Sequence, residues 1–193
     1  MRSLAALAAL FVAVSAAVAA DLTRDLDRAT LDAARSVASP AFDLLASVVS
    51  VFGQVEVTGA VALVLALLWW RREGVPGLVP LLLFVGVGVE IALKYVVPHP
   101  APPLELDRDL GLLVLLQGTS PYSFPSGHVL RATFLATLVG DRAPAWRGVL
   151  WSAVAAMLAT RVYLAEHWLS DVVGGLLLGL VLAQVARLVR GRA

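Results

Sequence analysis

The sequence predicts an all-α membrane protein, a polytopic bundle of about six transmembrane helices with one amphipathic helix in the interface. Three observations carry this. First, 60% of the 193 residues are hydrophobic and only 15% are charged, where a soluble domain carries about 25% charged residues. Second, mean hydropathy is +0.85. Third, the charges are clustered, and the apolar runs between them are long enough to cross a bilayer. We read residues 1–193 as one membrane-embedded domain. A net charge of +1 argues against a polyanion-binding surface, and no nucleic-acid-binding module is present in the sequence. The chain has no cysteine, which removes disulfides, thiolate metal sites and cysteine nucleophiles.

Residues 3–20, SLAALAALFVAVSAAVAA, are apolar behind one arginine. They suit a first membrane helix, and AVAA before Asp21 also suits a signal-peptide cleavage site; the membrane setting of the rest favours the helix. In residues 21–39 a helical stripe of Leu22, Leu26, Ala29, Ala33 and Val37 stands among charges, the pattern of an interfacial helix. Pro40 ends it. The second apolar segment, 44–70, is interrupted at Gly53-Gln54 and Glu56 and closes on Trp69-Trp70, an interfacial aromatic pair. Residues 76–95 form the third span. Residues 96–126 are proline-rich and acidic, and contain an apolar dip, LGLLVLLQG, too short to cross. The remaining spans are 127–140, 147–163 and 170–189.

With six spans, Arg2, Arg71-Arg72, Arg142 with Arg147, and Arg187, Arg190 and Arg192 fall on one side. The positive-inside rule makes that side cytoplasmic. Residues 21–40, 96–126 and 164–169 then face outward, and all three histidines lie with them.

Three clusters stand at that outer face: Lys94 with His99, Pro125-Ser126-Gly127-His128, and the run from Thr160 to Asp171. Glu90, Lys94, Arg131, Arg161 and Asp171 lie in or beside predicted spans. A charge at the centre of a membrane helix costs about 2.5–3.5 kcal/mol on insertion scales, so such residues are functional or paired. Snorkelling at helix ends and a self-neutralising Glu90–Lys94 pair are the bland alternatives. Lys94 is the only lysine in the chain. His167 and Asp171, four apart, share a helix face; a carboxylate there can fix the imidazole tautomer and leave the other nitrogen as nucleophile or base. Ser126 and Gly127 sit where a helix begins, and free backbone N–H groups at such a start bind anions. The bare Cα of Gly127 permits close approach. Two histidines, a carboxylate, cations and a helix start on one face are the inventory that phosphoryl transfer needs.

Taken together, these residues resemble the type 2 phosphatidic acid phosphatase superfamily, the integral lipid phosphate phosphatases. That family carries three ordered motifs: Lys, six residues, Arg-Pro; Pro-Ser-Gly-His; and Ser-Arg, five residues, His, three residues, Asp. Here the second is complete at 125–128. The third runs Thr160-Arg161, VYLAE, His167, WLS, Asp171, with threonine for serine. The first runs Lys94, YVVPHP, Ala101-Pro102, so alanine stands where the family has arginine. The motifs span 90–175. The resemblance implies that His167 attacks phosphorus to form a phosphohistidine, that Asp171 orients it, and that His128 protonates the leaving group and later activates water. It implies that Lys94, Arg161, Ser126 and Gly127 hold phosphate oxygens, with neither metal nor cofactor. The implied substrate is a lipid phosphate or diphosphate, such as undecaprenyl diphosphate, phosphatidic acid or phosphatidylglycerol phosphate. It would be met at the outer face of a bacterial-type plasma membrane.

Three other readings stay open: a phosphotransferase of the same superfamily, an impaired lipid-binding or transport member because of Ala101, and a metal site made from the histidines and Asp171. Arg131 and His99 are the two candidates to replace the missing arginine at the phosphate. For Arg131 the alternative is a structural pair with Glu90 or Asp171.

Overall fold

The computed structural model describes residues 2–113 and 120–191. Eight helices follow in order: α1 (Arg2–Ala19), α2 (Arg24–Ser36), α3 (Pro40–Val51), α4 (Val55–Glu73), α5 (Leu82–Val96), α6 (Gly127–Arg142), α7 (Arg147–Tyr163) and α8 (Leu169–Arg190), with a 3-10 stretch, Val75–Leu81, leading into α5. Among the described residues there is no strand; one isolated bridge joins Pro100 to Tyr122. The apolar dip at 110–118 lies partly outside the described residues, as does Arg192.

Among the described residues, three helical runs are long and apolar enough to cross a membrane: Pro40–Glu73 of 34 residues, Val75–Val96 of 22, and Leu169–Arg190 of 22. A fourth candidate is the pair Ser3–Ala19 and Arg24–Ser36, bent by 89°. The remaining expected spans, α6 and α7, have 16 and 17 residues. At about 1.5 Å per residue, α6 falls short of a hydrocarbon core of about 30 Å. Its length is less constrained because protein surrounds it: Val129, Leu130, Thr133 and Phe134 are fully buried.

The core runs along α6 and α8, where Leu130, Phe134, Leu138, Leu182, Ala183 and Ala186 meet Leu83 of α5 and Ala62 of α4. The α6–α8 seam is closed by glycines. A Cβ at Gly175 would collide with the Ser126 carbonyl, and one at Gly179 would sit 2.6 Å from the Leu130 carbonyl. At the other flank, Phe11 and Val18 of α1 pack against Phe124 and Val97.

The expected stripe runs along α2 and its flanks. Leu22, Leu26 and Val37 are exposed, and Asp27 and Leu31 are the buried residues. The stripe therefore faces away from the bundle, as suits a helix meeting lipid on one side and protein on the other. Pro40 does not merely end this segment; it is the first residue of α3, where its missing N–H costs nothing.

Among the described residues, Arg142, Arg187 and Arg190, three of the arginines expected on one side, meet at one end of the bundle. Arg142 makes two bonds to Glu73, at 3.2 and 3.0 Å, and lies 3.4 Å over the Trp69 ring. Arg190 reaches Glu73 at 3.2 Å, and Arg187 grips Asp141 at 2.7 and 2.8 Å. These contacts tie the ends of α4, α6 and α8 together. The opposite end collects the C-terminus of α5, the N-terminus of α6, the C-terminus of α7 and the N-terminus of α8.

Candidate active site

Residues of all three sequence clusters meet at that opposite end. Helix α8 begins at Leu169, and the Asp171 side chain caps it by accepting the Trp168 N–H at 2.9 Å. The cap buries Asp171 fully. Its Oδ2 is 3.4 Å from His167 Nδ1, the expected i,i+4 pairing. Its Oδ1 is 2.9 Å from His99 Nδ1. Asp171 thus bridges two imidazoles, and the shorter contact is to the histidine outside the motif pair. Burial holds the His167 imidazole down to about 4, against the upward pull of Asp171. Burial also opposes protonation of His99, but the Asp171 carboxylate outweighs it and its pKa is raised.

Helix α6 begins at Gly127, with Ser126 buried at the cap. The Ser126 N–H donates to the Asp171 carbonyl at 3.0 Å, which locks the start of α6 to the start of α8. The His128 ring packs against Gly53, where a Cβ would lie 2.7 Å from the ring. This explains the break at Gly53-Gln54 between α3 and α4: the histidine occupies the space that a side chain would fill. Among the described residues His128 makes no hydrogen bond, and its charged neighbours are Arg161, Arg131, His167 and Lys94.

The cations are more heavily committed than expected. Lys94 donates to the carbonyls of Tyr122 and Ser123 at 3.2 and 3.4 Å and lies 3.9 Å from Glu90. Arg161 is buried and meets Ser50 and Glu166, with Asp109 at 3.6 Å. Sequence reasoning missed those three partners. Ser50 and Asp109 come from segments distant in the chain, and Glu166 sits inside the third-motif spacer, where the pattern assigns it nothing. Of the buried polar atoms without a partner among the described residues, two belong to the motif residues, Ser126 Oγ and Arg161 Nε; the others are on Thr23, Gln54, Arg108 and Thr133.

Both replacements expected for the missing arginine are engaged elsewhere. Arg131 donates from Nε and NH2 to the Gly53 carbonyl at 3.1 and 2.9 Å, and from NH1 to Glu90 at 3.0 Å. It is the structural pair, not a free phosphate ligand. His99 is held on Asp171. Ala101 is exposed and contributes only its backbone N–H, to Pro121 at 3.2 Å. The bare Cα of Gly127 is also used differently: the Glu90 carboxylate fills the place a Cβ would take. Glu90 therefore joins α5 to α6 through both Gly127 and Arg131. Among the described residues no three His, Asp or Glu side chains group as a metal site.

This is a buried polar cluster at one end of a membrane helical bundle, built at the facing termini of four helices. The chain belongs to the PAP2 superfamily, whose profile matches residues 77–193, more than half of its length. Two solved structures share the fold. One is a transmembrane PAP2-type phosphatidylglycerolphosphate phosphatase from Bacillus subtilis, 20% identical, with TM-score 0.80 over 100% of this chain and 98% of that one. The other is LpxE of Aquifex aeolicus, 20% identical, with TM-score 0.66 over 84% of this chain and 94% of that one. No curated protein sequence matches significantly.

Proposed function

We propose that this chain, as a single domain, is a metal-independent lipid phosphate or diphosphate phosphatase working through a phosphohistidine at the extracytoplasmic face. The observation that carries the reading is the pair of buried, unpartnered groups, Ser126 Oγ and Arg161 Nε, beside the helix start that bears His128. An anion satisfies both, and a buried polar group left alone is costly.

His167 Nδ1 faces Asp171, which leaves Nε2 to attack. A low pKa keeps that nitrogen unprotonated at neutral pH. As the N–P bond forms, the bond from phosphorus to the lipid oxygen breaks, and His128 delivers a proton to that oxygen. Water then attacks phosphorus, the N–P bond breaks with its electron pair returning to His167 Nε2, His128 takes the water's proton, and inorganic phosphate leaves. Ser126, the Gly127 N–H, Arg161 and Lys94 hold the equatorial oxygens. Lys94 does so while anchored to the 122–123 backbone. The similar proteins named above suggest phosphatidylglycerol phosphate among the lipids to try first.

The test is phosphate release by purified protein from a panel of lipid phosphates and diphosphates. Activity on one or more members, abolished in His167→Ala, is the expected result. Near-normal release by His167→Ala would remove the nucleophile assignment. A second reading, an impaired member that binds lipid phosphate without turnover, is favoured by one observation: among the described residues, both candidates to replace the arginine absent at Ala101 are engaged elsewhere, Arg131 on Gly53 and Glu90 and His99 on Asp171. Binding across the panel with no release from any member would establish it.

A further inference from the structure

We infer that His99 is a positioning residue for the reaction, sharing the Asp171 carboxylate with His167 and so setting how much of its charge His167 feels. The inference rests on the phosphatase reading for its kinetic consequence, but not for the coupling between the rings.

The geometry is that of a divided carboxylate. Asp171 is completely buried. Oδ1 takes His99 Nδ1 at 2.9 Å; Oδ2 takes the Trp168 N–H at 2.9 Å and His167 Nδ1 at 3.4 Å. No solvent screens the exchange, so a change of charge on one ring is felt by the other.

His99 is also held in place. Its backbone N–H donates to the Val97 carbonyl at 2.8 Å, and its carbonyl accepts the Ser123 N–H at 2.9 Å and the Ser123 hydroxyl at 3.3 Å. Its ring lies 6.3 Å from the Trp168 ring, and Trp168 Nε1 donates to the next carbonyl, of Pro100, at 2.8 Å. The carboxylates acting on it are Asp171 of α8, Asp27 of α2 and Asp21 after α1, while Arg24 and Arg28 of α2, with Asp32, line the same cavity; the carboxylates prevail. They favour the imidazolium. The ring lines a cavity of about 680 Å³ between α2 and the 97–106 loop.

An imidazolium on Oδ1 offsets part of the carboxylate charge. Asp171 then orients His167 without making it strongly basic, and the nucleophile stays deprotonated further into the acid range. As pH rises through the His99 pKa, the full carboxylate charge turns to His167, whose attacking nitrogen gains basicity.

Three histidines in the chain make a direct measurement practical. Ring-15N-histidine protein in detergent micelles gives three titrating rings, assigned by substitution. We compare the native chain with His99→Asn, which keeps a donor toward Asp171 without charge, and His99→Phe, which removes both. The expected result is a His167 midpoint raised by about one pH unit in both variants. The acid limb of kcat/KM for lipid phosphate hydrolysis should rise with it, and KM should stay unchanged. A His167 midpoint that stays put in folded His99→Asn overturns the inference. So does a raised KM with an unmoved acid limb, which would put His99 on the substrate. If the native chain hydrolyses nothing, the phosphatase reading fails while the ring titrations still decide the coupling.

Discussion

Replacing Arg131 by methionine removes a guanidinium that is buried and fully engaged inside the bundle. Three donor contacts are lost: two to the Gly53 carbonyl, at 3.1 and 2.9 Å, and one to Glu90, at 3.0 Å. The Glu90 side chain is 11% exposed, so its charge stays buried. Breaking a buried pair costs about 3–5 kcal/mol, and an orphaned buried carbonyl about 1–3 kcal/mol. Lys94, 3.9 Å from Glu90, offsets part of the first term, so we expect a total near 3–5 kcal/mol. Against a stability of about 5–15 kcal/mol that is a large loss. Removing both charges, as Glu90→Gln with Arg131→Met, should recover part of it, with a coupling of about 1–3 kcal/mol. The assay is reversible unfolding in mixed detergent and SDS micelles, followed by the fluorescence of the five tryptophans, with KM measured on the same preparations. Native stability in Arg131→Met, together with a raised KM, would refute the reasoning and return Arg131 to the phosphate.

Asp27→Ala removes the acceptor of the Ser170 N–H and hydroxyl, both at 2.8 Å; a loss of about 1–3 kcal/mol by the same unfolding assay is expected, with a lower kcat because Asp171 is the next residue. Equal stability and rate in this variant would dismiss the bond as incidental. Ala101→Arg restores a cation to the first motif and should raise kcat/KM about 10-fold or more; no gain would mean the site has no place for it. A cysteine at Glu105, an exposed position in a cysteine-free chain, should react with a membrane-impermeant thiol reagent in intact cells. Labelling only after permeabilisation would put the site on the cytoplasmic side.

Local patterns predicted local structure well. The segment expected at 147–163 is a helix, α7, with the same bounds, and α8 differs from the expected 170–189 by one residue at each end. Apolar runs bounded by arginines and prolines leave few alternatives. The motif spacings likewise named the residues that converge beside His128 and His167. What sequence does not carry is pairing across distant segments. Asp27 reads as one more charge on an amphipathic helix, yet it is buried against Ser170. For Arg131 the pair with Glu90 is one of the alternatives the sequence offers, but its second partner, the Gly53 carbonyl, lies in the turn between α3 and α4, and no pattern points to it. His99 lies 72 positions from Asp171, and no periodicity links a loop residue to a helix start.

The glycine seam between α6 and α8 bears on how such a site can change. Gly175 and Gly179 lie against the carbonyls of Ser126 and Leu130, so backbone, not side chain, sets the spacing between these two helices. That spacing is also the gap between the helix start bearing Ser126 and His128 and the segment bearing His167 and Asp171. Even a methyl group added at the seam would pry the two apart and misalign attack. On the proposed mechanism, room for a different head group would come from α2 and the 97–106 loop, which line the cavity beside His99, and not from the glycine seam.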